Sequence, residues 1–306
     1  VSGEFELIEA ITAELPTNDR VTLGAGDDAA ALRLEGEAVV STDVLVENVH
    51  FKRAWSSAHD VGRKSVAVNV SDIEAMGAIP VAVVVALAFP KDLDRQWVLD
   101  FAAGVKQECA TANVALVGGD LSSSSIIVVN VTALGDLAGR RPVTRAGARP
   151  GDIVAVRGSL GWSAAGLVAL SRGFRSPKDV VRAALCPDVP YGQGVVAAEA
   201  GATAMMDVSD GLIQDLGHLA RRSGVAIDVR SDTLEVADPM QRVGAATGKD
   251  PLGFVLDGGE DYALVATFPR PADVPCGWRV VGEVREGAGV TVDGEPYEAH
   301  GWDHLA

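Results

Sequence analysis

Aromatic side chains make up only 5% of this sequence, and cysteine only three of its 306 residues. Cys109, Cys186 and Cys276 are widely separated, with no CxxC pair and an odd total. That excludes a disulfide framework and a cysteine-based zinc site, and it fits a reducing, cytoplasmic setting. Positive charge is also scarce: 26 Lys and Arg stand against 42 Asp and Glu, a net charge of −16. Such a surface repels nucleic acid and anionic lipid, so neither is an expected partner. It favours solubility, and it demands bridging cations if the substrate is itself an anion. The opening residues carry no signal-peptide pattern. The longest apolar run, Ile79 to Phe89, falls well short of the roughly 18 residues that span a bilayer and reads as a buried strand.

Familiar nucleotide and hydrolase signatures are missing too. No GxxxxGK[ST] occurs, hence no P-loop. There is no HRD or DFG of a protein kinase and no GxSxG nucleophile elbow. No GxGxxG follows a strand and opens a helix. His and Cys do not cluster at zinc spacing.

What is present is a sizeable apolar content, 48% with 34 glycines, in a chain long enough for two domains. Small Ala, Val and Gly side chains let helices approach a sheet closely. Set into this background are short acidic clusters beside apolar runs or glycine turns: GAGDDAA (24–30), STDVLVENVHF (41–51), NVSDIEAMGA (69–78), GGD (118–120) and MDVSDG (206–211). Each is placed where a strand end or helix start can aim a carboxylate. One GDD or SDG is commonly only a turn; five in one chain point to magnesium, which takes oxygen ligands and is completed by substrate phosphates. The candidate ligands are Asp27, Asp43, Asp72, Asp120, Asp207 and Asp210, with Ser41 and Thr42 beside Asp43.

In chain order, apolar periodicity predicts helices over 4–15, 58–77 and 94–111. Strands are expected over 32–34 and 37–42, paired around Glu35-Gly36, and over 81–89, 114–117 and 126–134. Asp72 falls on or near the inward face of its helix; it is either hydrogen-bonded locally or a metal ligand. The segment GRRPVTRAGARPGD (139–152) breaks the alternation with Arg140, Arg141, Arg145 and Arg149, and a domain boundary is placed there: 1–138 and 139–306. Its arginines form either a solvated linker or a clamp on nucleotide phosphates. The second half is predicted to hold strands over 152–157, 204–208, 225–229, 262–268 and 278–284, helices over 163–172, 180–185 and 194–200, an amphipathic helix from Leu212, and an Asp-Gly turn within 290–296.

In this order, GDDAA, STDVLVENVHF, VNVSDIEAMGA, GGD, LGWSAAGL, MDVSDGL and DLGHLA, and GGEDY resemble the thiamine-monophosphate kinase family, within the superfamily of aminoimidazole ribonucleotide synthetase and selenophosphate synthetase. The resemblance covers nearly the whole chain, and the STD-to-VHF and SD-to-AMGA segments are its most specific parts. It implies an α+β (mixed α/β) fold of two domains, the first a mixed sheet with helices that forms a homodimer, the second α/β and completing the nucleotide and substrate site. It implies ATP and thiamine monophosphate as substrates and several Mg2+ ions held by Asp27, Ser41, Thr42, Asp43, Asp72, Asp120, Asp207 and Asp210. Gly119, Asp120, Arg145 and Ser209 would touch ATP; His50, Glu260 and Trp302 would touch the thiamine moiety or its phosphate. A tyrosine expected near position 103 is replaced by Ala102-Ala103. Read without the resemblance, His50 is a structural histidine, Glu260 a turn residue and Trp302 a cap on the core. Selenophosphate synthetase expects a reactive Cys near the N-terminus, where none stands, and aminoimidazole ribonucleotide synthetase would lack the VHF and GGEDY contexts. A non-catalytic ion- or nucleotide-binding module is the alternative from another class.

Overall fold

The computed structural model describes residues 2–301, the side chains of 2–5 excepted. Contacts divide it into two units, 1–73 with 78–140 and 74–77 with 141–306.

In the first unit, helix α1 (Ser2–Thr12) precedes a small ribbon of β1 (Val21–Leu23) and β2 (Ala31–Leu32). Then come β3 (Ala38–Val46), α2 (Ala58–Ala75), β4 (Ile79–Phe89), α3 (Arg95–Ala112), β5 (Ala115–Ser123) and β6 (Val128–Asp136). The four long strands form one sheet in the order β3-β6-β4-β5, with β4 and β5 parallel and the other pairs antiparallel. α3 is the crossover that a parallel pair requires. It begins at Asp94, whose carboxylate accepts from the Gln96 N–H (2.9 Å), and ends at Asn113 in the left-handed conformation. The inner face of the sheet carries Leu45, Val83, Leu87, Val129 and Val131 against the helices. α2 and α3 meet almost backbone to backbone: a Cβ on Gly62 would lie 2.1 Å from the Phe101 carbonyl oxygen, and one on Gly104 2.1 Å from that of His59. Only glycine permits that approach. The opposite face is covered around Ala82 and Ala115 by Ala30, Leu32 and Leu34 and open elsewhere, with Val40 60%, Val44 42% and Val84 37% exposed.

The expected hairpin around Glu35-Gly36 does not form. Ala31–Leu32 pairs instead with Val21–Leu23, and β3 pairs with β6, far along the chain. The reason lies in Asp136, fully buried at the end of β6. Its carboxylate accepts from the N–H groups of Glu35 (2.8 Å), Gly36 (2.9 Å) and Ala138 (2.8 Å) and pairs with the Arg20 guanidinium. The turn is thus anchored on the distant strand.

In the second unit β7 (Ile153–Arg157), α4 (Trp162–Ser171), α5 (Lys178–Leu185), α6 (Gln193–Glu199), β8 (Ala204–Val208), α7 (Leu212–Ser223), β9 (Ala226–Val229), α8 (Asp238–Thr247), α9 (Pro251–Asp257), β10 (Ala263–Phe268), β11 (Arg279–Arg285), β12 (Gly289–Val292) and β13 (Glu295–Pro296) follow. A seven-stranded sheet runs β13-β12-β9-β11-β7-β10-β8, with only β12 and β9 parallel. Its core includes Met205, Leu264 and Phe268, the last in edge contact with Trp278 (centroids 5.7 Å apart). Glu74, at the end of α2, belongs here: its carboxylate accepts from Gly192 (2.6 Å) and Gly194 (2.9 Å) N–H groups at the start of α6. α8 and α9 were not expected from periodicity. Each carries a proline in its first turn, and Asp250 caps α9 by accepting from Leu252 N–H (3.0 Å).

Burial works to raise the Asp136 pKa, but the three N–H donors and Arg20 outweigh it and hold the carboxyl below its ordinary range. Asp136→Asn breaks this arrangement and should cost about 3 kcal/mol, read from denaturant unfolding. Because the folded-state pKa is depressed, the contribution is present above the unfolded carboxylate pKa and is lost as pH falls through the folded one. The difference between wild type and variant should therefore shrink progressively in acid.

Candidate functional site

In the first unit the predicted residues separate into two groups. Strand alternation puts Ser41 and Asp43 on the inner face of β3, toward α2. Ser41 Oγ donates to Asp72 Oδ2 (2.5 Å), and Asp43 N–H donates to Asn69 Oδ1 (2.8 Å). Asn69 and Asp72 are three residues apart and share a helix face. Asn69 is fixed in turn by donating to the Ser65 carbonyl (2.8 Å). Ser41, Asp43 and Asp72 therefore gather around one α2–β3 contact. Thr42 alternates to the open face, where its hydroxyl donates to the Val131 carbonyl (2.9 Å) and lies 3.2 Å from that of Thr132.

The second group lies at the other edge of the sheet. Asp27 and Asp28, in the loop before β2, line a cavity of about 530 Å³ together with Gly118, Gly119 and Asp120 of β5. Its apolar wall includes Ile8, Ile11, Ala102 and Val105. Ala102 stands where the family pattern leads one to expect a tyrosine nearby, and Phe101 is the aromatic residue of that wall. Register places Asp43 level with Val131, Val85 and Gly119, one row from Asp120. Asp43 and Asp120 are thus three strand spacings apart, about 14 Å, on opposite faces. β3 and β5 are the two edges of the sheet, so Asp43 and Asp72 stand apart from Asp120 within the chain. Neither Asp43 nor Asp120 is at a strand end. Both stand inside nine-residue strands, and GGD is strand rather than turn.

His50 follows β3 in the VENVHF turn. Its Nδ1 accepts from Val46 N–H (3.0 Å), and its carbonyl accepts from Lys64 Nζ (3.0 Å). The ring is oriented with Nε2 left to carry the proton. Glu47, in the same turn, pairs with Arg53 (2.5 Å) and accepts from Ile127 N–H (3.1 Å).

In the second unit Asp207 lies buried near the end of β8, and Ser209 and Asp210 form the loop into α7. Asp215, 1% exposed, accepts from the N–H groups of Asp210 (3.0 Å) and Gly211 (3.2 Å). Burial pushes its carboxyl up to about 7 against the pull of those donors. Gly211 has φ of 125°, and a Cβ there would meet the Asp257 carbonyl oxygen at 2.6 Å, so the loop needs glycine. The GGEDY segment packs on this loop: Glu260 N–H donates to the Ser209 carbonyl (2.7 Å) and Tyr262 N–H to that of Val208 (2.9 Å). Glu260 and Tyr262 both adopt positive φ, 64° and 51°. Between them Asp261 is buried and accepts from Gly161 and Ser163 N–H groups at the start of α4; burial raises its carboxyl to about 7. Backbone held in sparsely populated regions clusters at functional sites. The C-terminal segment is pinned by Asp257, which accepts from Tyr297 O–H (2.8 Å) and His300 N–H (3.1 Å), and it brings Gly301 against Asp210 and Gln214. Trp302 lies outside the described residues.

Of the 139–152 arginines, Arg145 reaches this neighbourhood. Its carbonyl accepts from Ser223 Oγ (3.0 Å) at the end of α7, and its charge acts on His218. Asp210, Asp215 and His218 place ligand atoms within 4.8 Å of one another. Asp215, His218, Asp257 and Tyr262 carried no role in the sequence reading, although SDGLIQDLGH has the i, i+3 spacing that puts Asp215 and His218 side by side.

The chain matches two family descriptions, AIR synthase related protein, N-terminal domain, over residues 26–137, and the corresponding C-terminal domain over 149–294. It is 45% identical over 304 residues to thiamine-monophosphate kinase of Mycobacterium tuberculosis, covering 98% of this chain and 91% of that protein. The chain belongs to the thiamine-monophosphate kinase family. Among solved structures, that of thiamine-monophosphate kinase from Stenotrophomonas maltophilia superposes with a TM-score of 0.83 at 34% identity, covering 96% of this chain and 98% of that one. A structure of the Aquifex aeolicus kinase complexed with AMPPCP and TMP gives 0.80 at 36%, covering 99% and 97%. These likenesses span both units and fit the mixed α/β architecture described above.

Asp215→Ala would leave the N–H groups of Asp210 and Gly211 without their carboxylate. An expected loss of about 2–3 kcal/mol in unfolding free energy follows, measured by chemical denaturation. An unchanged midpoint would mean that the loop finds other acceptors.

Proposed function

We propose that this protein transfers the γ-phosphoryl group of ATP to thiamine monophosphate, giving thiamine diphosphate and ADP. The observation that carries the reading is the end-to-end match to kinases of that name, one of them crystallised with AMPPCP and TMP. The chemistry needs little from the protein beyond charge control and alignment. A phosphate-monoester oxygen attacks the γ-phosphorus in line, the bond to the β-phosphate oxygen breaks, and ADP leaves with that electron pair. The nucleophile is largely ionised at pH 7, so no general base is required. Two polyanions at bonding distance repel by several kcal/mol at intermediate dielectric.

The donor set fits Mg2+: Ser41, Asp43 and Asp72 offer hard oxygens around one backbone contact, as do Asp207 and Asp210 at the end of β8. Bound there, Mg2+ would cancel phosphate charge and polarise the transferred group. Asp27 and Asp120 would serve the nucleotide at the β5 cavity, with Gly119 admitting the phosphates. The hydroxyl of Thr42 is turned to the other face, so Ser41 alone of the pair offers a hydroxyl oxygen on the side of Asp43. Arg145 and Ser209 would hold ATP, and His50, Glu260 and Trp302 the thiamine phosphate. His50 is suited to this because the Val46 N–H fixes the ring at Nδ1.

We further propose a homodimer through the open sheet face, where Val40, Val44 and Val84 are exposed side by side with polar Thr42 and Asn130. Monomeric proteins seldom leave a contiguous apolar sheet face uncovered. The cytoplasm is the proposed location: all three cysteines are free, and no helix among the described residues is long and apolar enough to cross a membrane.

Purified protein should release ADP only when ATP, Mg2+ and thiamine monophosphate are all supplied. ATP turnover indifferent to thiamine monophosphate would overturn the assignment. Asp43→Asn should lower turnover by more than about a hundredfold with an unchanged circular dichroism spectrum. Val44→Glu should convert the dimer to a monomer in light scattering; a wild-type protein already monomeric at micromolar concentration would refute the interface.

A further inference from the structure

Along one side of α7 the charge changes sign. Asp210 and Asp215 stand at its start, His218 follows one turn on, and Arg221 lies a turn further. Arg145 joins at the basic end, because its 144–148 turn is latched to Ser223: Ser223 Oγ accepts from the N–H groups of Gly147 (3.1 Å) and Ala148 (3.2 Å) and donates to the Arg145 carbonyl. His218 sits at the junction. Its Nδ1 is 3.2 Å from Arg221 Nη2, and the positive charges of Arg221 and Arg145 act on the ring against the negative charge of Asp210.

A guanidinium nitrogen can only donate, so Nδ1 accepts and the ring proton resides on Nε2. In that tautomer the ring fixes Arg221 at one nitrogen and keeps a donor at the other, and the imidazole has a nitrogen within 4.8 Å of carboxylate oxygens of Asp210 and Asp215. The three-residue group could be read instead as a cation site. Two features oppose this. Asp215 is engaged by the N–H groups beneath it. A cation on the imidazole would also sit beside two guanidinium groups, and magnesium prefers oxygen donors.

We propose that His218 is a positioning residue that holds Arg221 beside Arg145, and that Arg221 is a further contact for the nucleotide's phosphates. The inference rests on the kinase reading for its ligand, but it concerns nucleotide binding and can be measured without turnover. Arg and Lys side chains differ here: the planar fork can meet His218 with one nitrogen and a phosphate oxygen with another, which a single ammonium cannot do with the same geometry.

The experiment is calorimetric titration of the full chain with ATP and Mg2+, and separately with thiamine monophosphate, for wild type, Arg221→Ala, Arg221→Lys, His218→Ala and His218→Asn. Arg221 is exposed and its truncation should not disturb folding. Arg221→Ala and His218→Ala should each weaken ATP binding about tenfold, as loss of a charge-assisted bond implies. Thiamine monophosphate binding should stay within about twofold of wild type on the same grounds. His218→Asn keeps an acceptor near the Nδ1 position and should recover most of the loss; Arg221→Lys should fall between wild type and the alanine variant. A merely structural histidine would lower the melting temperature and leave the ratio of the two affinities unchanged. The proposal is overturned if both alanine variants bind ATP as wild type does, if they lose both ligands equally, or if His218→Asn behaves like His218→Ala. Wild type that binds ATP without phosphorylating thiamine monophosphate would sink the kinase reading alone. Wild type that binds no ATP would sink both.

Discussion

An ionised carboxylate inside a protein must be met by donors, or burial drives it to neutrality. This chain is arranged around that requirement, because it carries a large excess of acid and keeps many of its aspartates near the sheets. Two classes of carboxylate result. Asp136, Asp215, Asp261 and Glu74 are consumed by backbone N–H groups, each fixing a turn or a helix start. Asp43 and Asp72 are instead held with the Ser41 hydroxyl around one α2–β3 contact, and Asp210 stands in the loop that Asp215 shapes. The first class sets the loops that hold the second. Asp215 shapes the turn that carries Asp210, and Asp261 locks the strained segment that carries Glu260.

That division explains what could and could not be read from the residues in order. Long periodic helices such as α2 and α3 were legible because their apolar spacing is dictated by packing on one sheet face. The family motifs were legible because acidic residues rarely recur in such contexts by chance. The role of each aspartate was not: Asp136 and Asp43 look alike in sequence, but N–H donors from elsewhere in the chain converge on the Asp136 carboxylate, whereas Asp43 is held through its own N–H, which donates to Asn69 Oδ1. The Glu35-Gly36 hairpin was misread for the same reason, since the acceptor that decides that turn lies about a hundred residues away on β6. Strand alternation also separates neighbours that sequence joins. Thr42 and Asp43 are adjacent in the chain and face opposite sides of β3. α8 and α9 carry little periodic signal and were marked only by proline in their first turns.

The separation of Asp43 from Asp120 divides the acidic groups of the first unit between distinct loci. Near one sheet edge, hydroxyl and carboxylate oxygens gather on the helix side; near the other, Asp27 and Asp120 border a largely apolar cavity. For a reaction between two polyanions this has a physical logic. Charge must be cancelled at several places along an extended pair of ligands, and a single compact cluster of carboxylates would repel itself in the absence of ligand.

Phosphoryl transfer between these two anions depends on cations at these oxygens. Its most direct test is anomalous diffraction from crystals grown with Mn2+ in place of Mg2+ and with a non-hydrolysable ATP analogue. Anomalous peaks within coordination distance of Asp43 or Asp72, and of Asp207 or Asp210, are the predicted result. Nucleotide bound with no metal peak at either group, or with metal only on other side chains, would contradict it.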